Sequence, residues 1–184
     1  MAHALYRFID ALNDRIGRFV AWFTLAMALI QFATVLMRYV FSANAFLGLS
    51  SLWWQEAIVY LHGALIMGAA GYTFLHDGHV RVDIFYRDAS QRAKDWTDLI
   101  GSLVFLLPVC YLIYWSAWPN VALSWRNLEG SAETSGIPLK YLLKSTVLLM
   151  AALLALQAVS TALKAALRLM GHEVVERHRD PATS

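Results

Sequence analysis

Hydrophobic positions gather into four long runs, residues 19–40, 58–75, 99–118 and 145–163, separated by short segments in which polar residues return. Each run is roughly 20 residues long, and at about 1.5 Å rise per residue such a helix covers about 30 Å, the thickness of a hydrocarbon core. The pattern predicts four transmembrane helices over residues 19–41, 53–75, 96–118 and 140–168. Together they make residues 1–171 one membrane domain, followed by a polar tail, 172–184, expected to be disordered. Ahead of the first run, Leu5, Phe8, Ile9, Leu12 and Ile16 recur at helical spacing while Arg7, Asp10, Asp14 and Arg18 fall elsewhere. That is the pattern of an amphipathic helix lying in the membrane interface. The run behind it continues for about 22 residues, longer than the apolar region of a signal peptide, so the segment reads as an uncleaved helix rather than a signal peptide. The expected fold class is all-α and integral to the membrane, with four spans and an N-terminal interfacial helix.

Composition agrees with a lipid solvent, because 59% hydrophobic against 15% charged residues lies outside the range of soluble domains. Charge then gives direction. Eleven Lys and Arg residues fall in the leader, the second connection and the C-terminal end, against four (Arg38, Arg126, Lys140 and Lys144) on the other side. The positive-inside rule places both termini in the cytoplasm and the 42–52 and 119–139 loops outside. Tryptophans 22, 53, 54, 96, 115, 118 and 125 lie mostly near predicted helix ends, as an aromatic belt requires. A formal charge of +2, without a single basic patch, gives no reason to expect nucleic acid as a partner. The lone cysteine, Cys110, excludes an intramolecular disulfide and a CxxC thiol-exchange site.

Few residues in the spans could carry chemistry. Arg38, near the end of the first run, and Glu56, near the start of the second, meet at the outer interface of an antiparallel hairpin. They either pair, or Arg38 snorkels to lipid phosphates while Glu56 reaches water; neither arrangement is catalytic. His62 is the one histidine inside a span, and with none in the other three it reads as an interhelical hydrogen-bonding group rather than a haem ligand. Ala57, Ala64, Gly68 and Gly71 follow a heptad-like spacing, a stripe of small residues that lets helix backbones approach closely. The stretch LHDGHVRVD, residues 75–83, sets His76, His79 and Asp83 close together like metal ligands. Its central Asp77-Gly78 is a turn signal, however, and no cysteine or fourth ligand lies nearby, so it reads as a joint between helices. No metal or other cofactor is expected.

Taken in order, MRYVF at the end of the first span, WWQEAIVYLHGALIMGAAGYTFLHDGHVRVD through the second, and IPLKYLL before the fourth give the chain a family likeness. It resembles the small membrane (permease) subunit of the tripartite ATP-independent periplasmic (TRAP) transporters, the DctQ-like family, over nearly its whole length. The most specific part runs from Glu56 through Gly68-Ala69-Ala70 to His79-Val80 and Asp83, with Arg38-Tyr39 and Pro138 in support. The resemblance implies a non-enzymatic subunit of a secondary transporter. Its partners would be a large membrane subunit, which carries solute and ions, and a periplasmic solute-binding protein, which delivers an organic acid or acidic sugar; membrane lipids surround it. On that reading Arg38, Glu56, Ala64, Gly68, Gly71, His79 and Asp83 hold the hairpin, the cytoplasmic turn or the subunit contact. The rival is a haem-binding membrane-anchor subunit of a quinone-linked oxidoreductase, using His62 or His76.

Overall fold

The structure, a computed structural model, describes residues 2–79 and 89–174. Helix α1 (Ala2–Tyr39) leads through a small hairpin to α2 (Ser51–Leu75). Helix α3 (Gln91–Ile100) passes through a π-helical segment (Gly101–Leu106) into α4 (Leu107–Arg126), and α5 (Lys140–Leu169) closes the bundle. Four of the helical stretches are long and apolar enough to cross a membrane: α1, α2, the continuous rod from Gln91 to Arg126, and α5.

The N-terminal segment is not a separate interfacial helix. Its turns continue unbroken into the first span, so α1 is a rod of 38 residues, about 57 Å long. The reason is packing: Tyr6, Ile9, Asn13, Gly17 and Val20 form one buried stripe on α1 against α2 and α5. Three of the five apolar residues assigned to the interface take other positions. Ile9 is in the core, whereas Leu12 and Ile16 are half-buried and Leu5 and Phe8 remain exposed. The stripe of small residues on α2 has its answer here. A Cβ at Gly68 would stand 3.1 Å from Val20 Cγ1, one at Gly71 would collide with the Asn13 amide, and one at Gly17 would collide with the Tyr72 ring. The α1–α2 seam is therefore a close backbone approach within this chain.

Local sequence sets the connections. Leu47 and Gly48, with φ of 53° and 78°, turn the chain between strands β1 (Ala45–Phe46) and β2 (Leu49–Ser50), the double positive φ that a two-residue hairpin requires. Ser50 then caps α2, its Oγ accepting from Trp53 N at 3.1 Å, and Ser90 caps α3 in the same way. At the far end of α2 it is Asp77, not Gly78, that takes the left-handed conformation, with φ 55°. The widened π-helical turns end just before Pro108, which has no N–H to give and whose ring crowds the carbonyl four residues back.

The core lies toward the end of the bundle that holds both termini, where Ala151, Leu153, Ala158, Ala162, Ala165 and Leu167 of α5 meet α1 and α2. Beyond Val20, α1 carries Trp22, Leu25, Leu29 and Phe32 exposed, an apolar surface suited to lipid. Exposed Tyr111, Leu112, Trp115 and Trp118 do the same for α4.

Candidate functional site

Polar side chains gather at the two ends of the bundle. At the loop end, Glu56 in the second turn of α2 reaches across to the connection between α4 and α5. One carboxylate oxygen accepts a hydrogen bond from Ser131 Oγ, and the other accepts from the backbone N–H of Ile137 at 2.6 Å. One turn later on α2, Tyr60 OH donates to the Ile137 carbonyl at 3.4 Å. Ile137 is itself buried, so this anchor draws the loop down onto α2. A Cβ at Gly136 would lie 2.6 Å from Glu56 Oε2, so the glycine leaves room for the carboxylate. The pair that the sequence allowed between Arg38 and Glu56 is therefore replaced: Arg38 is exposed in the last turn of α1, and Glu56 uses the loop instead.

Beside that anchor, Glu129 gathers a second set. Lys144 Nζ at 2.6 Å and Ser124 Oγ at 2.7 Å donate to one oxygen, and Lys140 stands 3.0 Å from the other. Hydrogen bonds from Lys144, then Ser124, then Lys140 hold the Glu129 carboxyl down to about 2. Two of the four cations counted on this side are thus tied to one carboxylate.

At the terminal end, α5 supplies Gln157, Ser160, Lys164 and Arg168, spaced i, i+3, i+7 and i+11 along one face. Asp10 of α1 accepts from Ser160 Oγ at 2.6 Å and Gln157 Nε2 at 3.0 Å, and pairs with Lys164 at 3.1 Å. Asn13 donates to Gln157 Oε1 at 2.7 Å, and both are almost fully buried, at 1% and 0% exposure. The Asn13 side-chain oxygen has no hydrogen-bond partner among the described residues and is pressed against Gly71. One turn beyond Lys164, Arg168 holds the buried Asp95 of α3 at 2.6 Å and Asp98 at 3.7 Å. Sequence reasoning missed this set. The signal that was available is the set of four polar residues at helical spacing in the C-terminal half of α5, opposite Asp10 and Asn13 in the leader.

The other sequence-selected residues scatter. His62 is exposed on α2, and the interhelical hydrogen bond expected of it is not formed among the described residues. Ala64 is half-buried, and Gly68 and Gly71 lie in the α1 seam. His79 is exposed, its ring 6.0 Å from that of Phe74. Asp83 lies outside the described residues. His76 meets Asp14 of α1 at 3.3 Å and packs against Tyr72. Asp14 also takes Arg18 at 3.0 Å. What the arrangement does physically is join helices: α1 to α5, α3 to α5, α2 to the α4–α5 loop, and α1 to the end of α2.

Comparison with known proteins gives this scaffold its family. No solved structure matches the chain. A curated relative, the C4-dicarboxylate TRAP transporter small permease protein DctQ of Vibrio cholerae serotype O1, is 26% identical over 125 residues, 62% of this chain. The match spans about half (51%) of the length of that relative. Residues 27–168 match the family described as the DctQ component of the tripartite ATP-independent periplasmic transporters; the match takes in Gly68 and Gly71 of α2, the Glu56 anchor and the α5 polar face, but begins after Asn13, Gly17 and Val20 of α1. The chain is a multi-pass membrane protein that belongs to the DctQ family of TRAP transporter small permease components.

Proposed function

We propose that this protein is the small scaffold subunit of a TRAP-type secondary transporter. It packs against a large membrane subunit and supports ion-gradient-driven uptake of an organic acid or acidic sugar delivered by a periplasmic solute-binding protein. Both termini face the cytoplasm, and the Glu56 and Glu129 clusters face the periplasm. The observation that carries this reading is the use of the polar side chains within a chain of this family. Asp10, Asp95, Glu56 and Glu129, each of which could bind an ion or solute in a carrier, are all committed to joining one helix or loop of the chain to another. Such joints suit a stationary frame against which a moving carrier works. The haem-anchor alternative would use His62 or His76; His62 faces outward from α2, and His76 is engaged by Asp14 and Tyr72 within the chain.

Reconstitution tests the proposal. Proteoliposomes holding the large subunit, with binding protein and solute outside, are expected to take up solute under an ion gradient only when this chain is also present. Equal uptake without it would overturn the scaffold role. Uptake by this chain alone would overturn it in the opposite direction.

A further inference from the structure

Helix α2 has three kinds of surface. One packs on α1 through Gly68 and Gly71; a second meets α5, where a Cβ at Gly63 would stand 2.7 Å from Leu143 Cδ1. The third is exposed and runs through Gln55, Val59, His62 and Ile66, spaced i, i+4, i+7 and i+11 along one face. Val59 is 57% and Ile66 53% exposed, so nothing among the described residues covers this stripe. It differs from the outward apolar surface of α1 along Trp22, Leu25, Leu29 and Phe32, and from that of α4 along Tyr111, Leu112, Trp115 and Trp118, in carrying an imidazole.

His62 is the twelfth residue of a helix of 25, roughly 16 Å from one end and 20 Å from the other, so its ring stands deep in the hydrocarbon. Its short side chain cannot reach either interface from there, unlike that of Lys or Arg. An imidazole facing lipid would leave its N–H and its ring nitrogen lone pair unsatisfied at a cost of several kcal/mol. A protein helix carrying a polar group at the same depth removes that cost.

We propose that the outward face of α2 along Gln55, Val59, His62 and Ile66 is the surface on which the large membrane subunit packs, with the His62 imidazole hydrogen-bonded to a polar group of that subunit inside the bilayer. This rests on the scaffold reading, since the occupant is taken from it. The position of the face comes from burial and depth alone.

A photo-crosslinking amino acid, p-benzoylphenylalanine, placed at Val59 or at Ile66 in membranes holding the whole transporter is expected to join this chain to the large subunit. His62→Leu is expected to lower recovery of the large subunit with this chain roughly three- to tenfold, the range of one hydrogen bond between membrane helices, while His62→Gln keeps most of it. Thermal unfolding of the isolated His62→Leu chain should be unchanged, because His62 has no partner among the described residues to lose. Adducts with lipid or with a second copy only, while the two subunits still co-purify, would overturn the docking face and leave the scaffold reading standing. Unchanged recovery with His62→Leu would likewise overturn the role of the imidazole. Failure of the unmodified subunits to co-purify would sink the scaffold reading, and the docking with it.

Discussion

Glu56 concentrates the physics of the loop end in one side chain. Its carboxylate accepts from a hydroxyl and from the N–H of a buried residue, so losing the side chain strands the Ile137 N–H. Glu56→Ala is therefore expected to cost roughly 2–3 kcal/mol, the loss of a charge-assisted hydrogen bond plus the desolvation of a stranded N–H, read as a lower unfolding temperature in detergent. A charge swap, Arg38→Glu with Glu56→Arg, should give no recovery over Glu56→Ala, because the interaction lost is with the loop; recovery would restore the Arg38 pairing. Glu129 gives a pH dependence. Its carboxyl ordinarily titrates at 4.5 and is held down to about 2, so its contribution is fully present above 4.5 and is lost as pH falls from there toward 2. Protease cleavage in the 127–139 loop should be flat from pH 7 to 5 and rise below about 4.5, and Glu129→Gln should cleave faster already at pH 7. The importance of Glu56 was legible from its place at the start of an apolar run. Its partner was not, because Ser131 and Ile137 lie 75 and 81 residues away in a loop without periodicity.

At the scale of elements, α5 is the staple. Its face of Gln157, Ser160, Lys164 and Arg168 takes Asp10 from α1 and Asp95 from α3, so two helices that do not follow it in sequence are fixed to its last turns. Lys164 and Asp10 are 16% and 15% exposed, which makes removal of one partner more costly than removal of both. Asp10→Ala should destabilise the bundle by roughly 3 kcal/mol, whereas Asp10→Leu with Lys164→Leu should recover most of that loss. Limited proteolysis within the first turns of α1 reads the difference; equal damage in both variants would show that the pair itself, and not the stranded charge, sets stability. The helices themselves could be read from hydrophobic runs, since length and apolarity suffice for a span. The fate of the leader could not. Leu5, Phe8, Ile9, Leu12 and Ile16 read as a membrane-facing surface, but burial follows Tyr6, Ile9, Asn13, Gly17 and Val20, a stripe that includes a polar amide and a glycine. An amide is buried there because Gln157 meets it, and a glycine because Tyr72 does, and both partners come from distant helices.

For the whole molecule the open quantity is direction across the membrane. The charge asymmetry behind the proposed cytoplasmic termini includes Arg18, Lys164 and Arg168, all of which the fold pairs with acids, and the opposite side likewise has Lys140 and Lys144 bound to Glu129. Neutralisation in the folded state does not cancel the bias, because orientation follows the Lys and Arg content of short loops during insertion and acidic residues contribute little. The acids that later pair with these cations are therefore partners in packing, not counterweights in topology. Cys110 is buried at 2% exposure, so a single introduced cysteine can report position against a quiet background. Glu133→Cys, in the exposed loop before α5, is expected to react with a membrane-impermeant maleimide on intact cells. Ala93→Cys, exposed in the first turn of α3, should react only after the inner membrane is opened. The reverse pattern would invert the molecule, turning the Glu56 and Glu129 joints to the cytoplasm and removing the binding-protein side from the proposed assembly.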